Sequence, residues 1–429
     1  MKRIAVVVHR CGREIVGGSE GYAFKMAESL SEEFNVDVIT TTAKDYVTWE
    51  NFYKEGAQRV SGALRILRFG VDIQRGPYWH GLSRVLFKNL SIEKFATLEP
   101  ERKESFLSEL EKTPLGLQEE WIKFQGPHSS GLIQYIKENN SRYDAFIFVT
   151  YLYPTTYFAV DAVRDSKKVF IVPTLHDEPP AYLPIFKKYS AFSQLFLTGA
   201  EKAFAGRVLK SQDGSAALGT GVLGFGIEDR FEAVEKSGGG APYILYAGRL
   251  DEAKGVRGLF EYFRRFSKKD AGLKLYTIGD GELKSYRHER VEYLGFVSEE
   301  EKLSLMKNAL ALVHPSPYES LAISLLESFM METPALVNGK CAVLKDHIES
   351  SRGGFAYGSY DEFETHLSRL MGDRALKRRL GRNARGYFLE NYSLEKYKER
   401  LLSIFRPVPD ITGEQKRAPS FQHELSAMP

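Results

Sequence analysis

The chain has 429 residues, with 59 Lys and Arg against 56 Asp and Glu, a formal charge of +3. At roughly 100–200 residues per domain, that length makes two or three domains. A composition 43% apolar and 27% charged supplies side chains for two cores and excludes disorder along the whole chain. So small a charge excludes a nucleic-acid track, and none is expected as a partner. Two cysteines, Cys11 and Cys341, are too few for a disulfide framework or a structural zinc site, so a reducing, cytoplasmic setting is expected.

Ile4 to Val8 is a short apolar run met at once by His9, Arg10, Arg13 and Glu14, with no small-residue cleavage site. It is expected to be structure rather than a targeting signal. No run reaches the ~18 apolar residues of a membrane span, while peripheral contact at the inner face of a membrane stays open.

In chain order, Arg3 to His9 (RIAVVVH) is β-branched and apolar, the pattern of a parallel strand buried on both faces. Gly17-Gly18-Ser19 interrupts it. Tyr22, Ala23, Met26, Ala27 and Leu30 then recur at helical spacing, and Val36 to Thr41 predicts a second strand. Gly62 to Phe69 predicts a third, and a charged pattern at about 91–132 predicts a helical insertion. Strands are expected again from Asp144, Lys168 and Gln194. Glycine-rich Ala216 to Ile227 closes this half, and Ser237-Gly238-Gly239-Gly240 reads as a linker. Beyond it, strand patterns begin at Tyr243, Leu273, Val291, Ala309 and Thr333, and helices from about Asp361 to Phe405 end the fold. This alternation predicts an α/β protein of two Rossmann-like domains facing each other across a cleft. The expected divisions are 1–228, 241–390, a closing helix at 391–405 able to return to the first domain, and a flexible tail at 406–429.

Ligands of such sheets bind beyond the carboxyl ends of the strands, so residues just after strands are the candidates. Gly17-Gly18-Ser19 either brings backbone N–H groups to a phosphate or is a plain turn. Gly248-Arg249 with Lys254 offers a guanidinium and an ammonium to a diphosphate, or is a solvated loop. Gly279-Asp280-Gly281 is a close approach to a ligand or a turn. In His314 to Met330 (HPSPYESLAISLLESFM), Glu319 precedes a helix and Glu327 lies inside it. The amides of Ser320, Leu321 and Ala322 crown its start, where negative charge is favoured. His176-Asp177-Glu178 is either an acid/base or hydroxyl-binding group, or a polar turn before Pro179-Pro180. Three adjacent residues do not converge on one ion, so no metal site is expected. Tyr182 to Tyr189 mixes aromatics with Lys187 and Lys188, which suits an interfacial membrane patch or a core-facing amphipathic helix. The chain has no Asp-x-Asp clamp, no G-x-x-x-x-G-K-[S/T] loop and no G-x-S-x-G elbow.

The order of these pieces resembles the family 4 retaining glycosyltransferases over nearly the whole chain. They are Gly17-Gly18, His176, Gly248-Arg249 with Lys254, Gly279-Asp280-Gly281, Leu294-Gly295-Phe296-Val297, and Glu319 with Glu327. The resemblance implies the glycosyltransferase type B fold, no cofactor, and a nucleotide diphosphate sugar as donor. It also implies a saccharide or lipid-linked saccharide acceptor, as in polysaccharide or glycolipid assembly. Roles follow from it: Arg249 and Lys254 at the diphosphate, Glu319 on the donor sugar, Glu327 on the ribose, and Phe296 and Val297 around the base. Gly17, Gly18, Gly248 and Gly279 would lie close to the donor, the residues after Glu319 would touch sugar and phosphate, and His176 would serve the reaction centre. Two departures stand out. ALVNGKCAVLKDH from Ala335 replaces the family's Gly-Gly-x-x-Glu, and the interval from Glu319 to Glu327 has no glycine. Asp45 to Trp49 (DYVTW) and His176 to Pro179 (HDEP) resemble a subgroup of bacterial surface-polysaccharide enzymes. With no carboxylate placed as nucleophile, front-face displacement assisted by Arg249 and Lys254 is the expected route. Open alternatives are a nucleotide-sugar epimerase or phosphorylase on the same fold, and a non-catalytic sugar-nucleotide-binding module.

Overall fold

A computed structural model of the chain describes residues 1–406 apart from Arg13, Val16, 91–93, 96–97, 211–219, 236–239 and Ala271. The start of the 91–132 insertion, part of the glycine-rich connector, most of the linker and the tail past Arg406 therefore lie outside the described residues.

The first sheet holds β1 (Arg3–Val7), β2 (Asn35–Thr41), β3 (Gly56–Arg59), β4 (Leu64–Phe69), β5 (Ala145–Val149), β6 (Val169–Val172), β7 (Ser193–Phe196) and β8 (Thr220–Val222). Their order is β3-β4-β2-β1-β5-β6-β7-β8. β3 alone runs antiparallel, as an edge strand exposed throughout, and no apolar alternation in the sequence announces it. The second sheet holds β9 (Tyr243–Ala247), β10 (Lys274–Ile278), β11 (Val291–Gly295), β12 (Ala311–His314), β13 (Ala335–Asn338) and β14 (Gly354–Tyr357). It is parallel throughout, in the order β11-β10-β9-β12-β13-β14. Strand order reverses beside β1 in the first sheet and β9 in the second, the Rossmann arrangement, whose ligand site lies at the reversal.

Helices cover both sheets. In the first half the longer ones are α1 (Gly18–Leu30), α2 (Pro77–Phe87), α3 (Pro100–Glu111), α4 (Leu115–Gln125), α5 (Ser130–Glu138) and α6 (Gly199–Val208). The helical insertion thus runs from Pro77 to Glu138, wider than 91–132, because α2 buries Leu82, Leu86 and Phe87 and packs Phe87 edge-to-face with Trp121 of α4. The segment Tyr182 to Tyr189 turns most of its large apolar side chains into the core. Its short 3-10 turns bury Ile185, Phe186 and Tyr189, with Phe186 against Tyr151 and Tyr157, while Lys187 and Lys188 pair with Glu111 and Asp161.

The second half adds α7 (Val256–Phe266), α8 (Glu299–Asn308), α9 (Ile323–Met330), α10 (Ala342–Ser351), α11 (Tyr360–Gly372), α12 (Arg374–Asn391) and α13 (Leu394–Phe405). α13 lies on the first sheet's side, where Phe405 packs on Phe34 and Phe170 and accepts a 2.7 Å hydrogen bond from Lys2 Nζ at its carbonyl. Ile227 on the outward crossing donates to Tyr392 O and accepts from Leu394 N, both at 2.9 Å, so the two crossings between domains run side by side. Among the described residues no helix is long and apolar enough to cross a membrane.

Candidate functional site

Residues beyond the carboxyl ends of β5, β6, β9 and β12 line one cavity of about 440 Å³ between the two sheets, which the first turn of α1 completes. The second-domain wall depends on a close backbone approach. Gly255 has φ +71°, and a Cβ there would sit 2.4 Å from Pro315 O, so only glycine lets α7 meet the loop after β12. That approach sets Lys254 Nζ 2.6 Å from Glu319 Oε1, with Glu319 13% exposed. Burial works to raise the Glu319 carboxyl, but His314, Lys254 and the Ser316 hydroxyl outweigh it and hold its pKa below the usual value. Burial also lowers the His314 imidazole, which leaves Lys254 as the charge that keeps Glu319 ionised near neutrality.

The loop after Glu319 is held from behind. His347 of α10 donates from Nε2 to Leu321 O at 2.9 Å and takes the Tyr387 hydroxyl at Nδ1 at 3.0 Å. Burial pushes the His347 pKa down to about 4, so the ring is neutral. Ala322, at φ 65° and ψ 64°, opens α9 in the left-handed region.

On the first-domain wall, Glu178 is 5% exposed and accepts the Tyr151 hydroxyl at 2.7 Å, with His176 Nε2 3.5 Å away. Asp177 turns outward to Lys103 and the Tyr182 hydroxyl. Thr150 (φ 75°) and Thr174 (φ 55°) leave β5 and β6 in the left-handed region, unusual for β-branched residues and concentrated at sites. The buried Thr150 hydroxyl has no hydrogen-bond partner among the described residues.

The structure thus brings Gly18, His176, Gly248, Lys254, Glu319, Ser320, Leu321 and Ala322 to the cavity. The other sequence candidates lie outside its lining. Gly17 caps α1 against the Glu20 carboxylate. The Arg249 side chain is 68% exposed, 3.3 Å from Asp251. Gly279 is a packing glycine with φ +117°, where a Cβ would meet Gly248 O at 2.1 Å. Phe296 is 86% exposed and Val297 half-buried. Glu327 Oε1 takes Lys302 Nζ at 2.7 Å, and burial, only partly offset by Lys302, raises its carboxyl.

Several supporting residues escaped sequence reasoning. Tyr151 and Tyr153, which line the cavity, belong to no motif in the sequence. Buried Glu20 binds His9 Nε2 at 3.0 Å and Arg10 Nε at 2.6 Å, and His9 packs 3.9 Å from the Tyr153 ring. Burial alone would lift Glu20, but His9 and Arg10 more than reverse it. Glu201 accepts backbone N–H groups from Leu175 at 2.7 Å and Leu197 at 2.6 Å, holding the exit of β6. Its signal was in the sequence: Thr198-x-x-Glu201 is a helix-capping pair, and Thr198 Oγ1 accepts Glu201 N at 3.0 Å.

Residues 228–387 match the family model for glycosyl transferases group 1. The matched part is most of the second domain and less than half of the chain. Among curated proteins, alpha-D-kanosaminyltransferase of Streptomyces kanamyceticus is 27% identical over 195 residues, 43% of this chain and 47% of that protein. An uncharacterized glycosyltransferase of Methanocaldococcus jannaschii is 25% identical over 181 residues, 40% of this chain and 46% of that one. The chain therefore spans about half the length of the curated relatives it matches. Whole-length likeness comes from solved structures. Sucrose-phosphate synthase from Thermosynechococcus elongatus superposes with a TM-score of 0.63 at 15% identity, covering 94% of this chain and 98% of that one. Anabaena HepE, solved with UDP and glucose, gives 0.62 at 12% identity, covering 94% and 99%. These likenesses show the fold, two Rossmann-like domains of glycosyltransferase type B.

Proposed function

We propose that the chain transfers a sugar from a nucleoside diphosphate donor to a hydroxyl acceptor, with retained anomeric configuration and without a metal. The observation that carries this reading is the Lys254–Glu319 pair, 2.6 Å apart on the wall of the interdomain cavity. A departing diphosphate needs fixed positive charge, and a buried carboxylate is a strong acceptor for sugar hydroxyls. Residues 320–322, at the start of α9, add backbone amides beside them. The bond from the anomeric carbon to the diphosphate oxygen breaks as the acceptor oxygen bonds on the same face, and the departing oxygen takes the acceptor's proton. Arg249 joins only by leaving Asp251, so Lys254 is the principal cation. Glu327, Phe296 and Val297 are assigned to the nucleoside end of the donor, and His176 with Glu178 to the acceptor side. The family match of the second domain supports a nucleotide-sugar donor. A saccharide or lipid-linked saccharide acceptor, in polysaccharide or glycolipid assembly on the cytoplasmic side, completes the reading.

A panel of UDP-, GDP- and ADP-sugars, scored by binding and by hydrolysis, tests the donor class. Replacing Lys254 by Ala should lower turnover ~10²–10³-fold, the usual cost of removing one electrostatic stabiliser. Unchanged turnover would refute the site assignment, and an inverted product by NMR would refute retention. Activity abolished by a chelator would refute metal independence.

A further inference from the structure

A second cavity, of about 740 Å³, lies at the opposite end of the second sheet, where Pro242 and Leu310 precede β9 and β12. Among the described residues five cations line it, Lys307, Arg374, Lys377, Arg378 and Arg382, against one carboxylate, Glu332. Two of the five have structural work. Lys307 Nζ donates to Phe231 O at 2.6 Å and to Val234 O, and Lys377 Nζ donates to Ala309 O at 2.8 Å. Arg374, Arg378 and Arg382 are exposed, and none has a hydrogen bond or ion pair with a described residue.

Their spacing puts all three on one face of α12, about 6 Å apart along the axis. Like charges at this spacing repel, and cations in the first turns oppose the helix dipole. α12 carries six basic residues and one acidic one, Glu390, with no carboxylate in its first turn. Asp373, just before it, is committed to capping Leu376 N at 2.8 Å. The free protein therefore bears an unfavourable electrostatic arrangement that a bound anion would relieve. Guanidinium forks match phosphate oxygens, and a row about 12 Å long exceeds one phosphate. We propose that this cavity binds an anion bearing more than one phosphate, at a site separate from the interdomain cavity.

Pyrophosphate, followed by titration calorimetry, and vesicles containing cardiolipin, whose headgroup carries two phosphates, followed by co-sedimentation, distinguish a soluble source from a lipid surface. Both probes are applied at near-physiological salt to full-length Lys254→Ala protein, so that phosphate held in the interdomain cavity does not count. They are applied again after adding Arg374→Ala, Arg378→Ala and Arg382→Ala. Binding of either probe that weakens about tenfold for each arginine removed, with an unchanged melting temperature, supports the proposal and names the source. Failure of both probes to bind, or equal binding to the two proteins, overturns it. Should the triple variant fold poorly, Arg378→Glu alone serves, with the same required weakening. UDP binding to protein carrying only the three arginine changes should match wild type, so failure here is distinguishable from failure of the donor reading.

Discussion

Ala322 sits where backbone strain and a site coincide. A non-glycine residue in the left-handed region costs about 1–2 kcal/mol, and at φ 65° Ala322 bears it at the start of α9. Replacing it by Gly should stabilise the second domain by about 1 kcal/mol once the greater unfolded freedom of glycine is subtracted. Chemical denaturation of the two proteins measures this, and a destabilised variant would show that the methyl packs usefully. The residue's identity was legible as a missing glycine between Glu319 and Glu327, but its conformation was not. Conversely, Gly17 and Gly279 were legible as glycines, but the groups packed against them were not. One makes room for the Glu20 carboxylate and the other for a neighbouring strand exit, partners that composition does not reveal.

At the scale of elements, strands with continuous apolar runs could be read directly, and β1, β5 and β9 lie at the centres of their sheets. β3 and β14 could not. The first is exposed throughout, and the second (GFAY) opens on glycine and has no β-branched residue, so neither carries a strand pattern that can be read. The supports behind the site were hidden for another reason: each joins segments distant in sequence, as His347 does with Leu321. Glu201 ties α6 to the exit of β6, and burial pushes its pKa from the ordinary 4.5 up to about 8, against the backbone amides that lower it. A raised folded pKa favours the protonated fold. Its contribution is complete below pH 4.5 and is lost as the pH rises through about 8. The melting temperature of wild type should therefore fall across that window relative to Glu201→Gln. Parallel pH profiles for the two proteins would refute the raised value.

For the whole molecule, the last helix is the largest commitment. Phe405 is 5% exposed and lies between Phe34 and Phe170 on the first domain, although α12 just before it packs in the second. Its replacement by Ala should cost ~3–5 kcal/mol, the range for a buried Phe. A loss confined to the second domain's unfolding transition would contradict this docking. The alternation of strands and helices made the two-domain plan legible, because each strand–helix unit carries its own apolar pattern. The return of the closing helix to the first domain was readable only as an option, since a single amphipathic face fits either domain equally well.

The paired crossings at Ile227 and Tyr392–Leu394 bear on how the interdomain cavity opens. A single tether would leave one half free to swivel about the other. Two tethers joined by hydrogen bonds form a ribbon that bends across its width more readily than it twists. Any relative movement of the halves must bend this ribbon, which puts the pivot at Ile227 and Tyr392–Leu394. Lys254 and His176, on opposite walls of the interdomain cavity, are the side chains that such bending would separate and bring back.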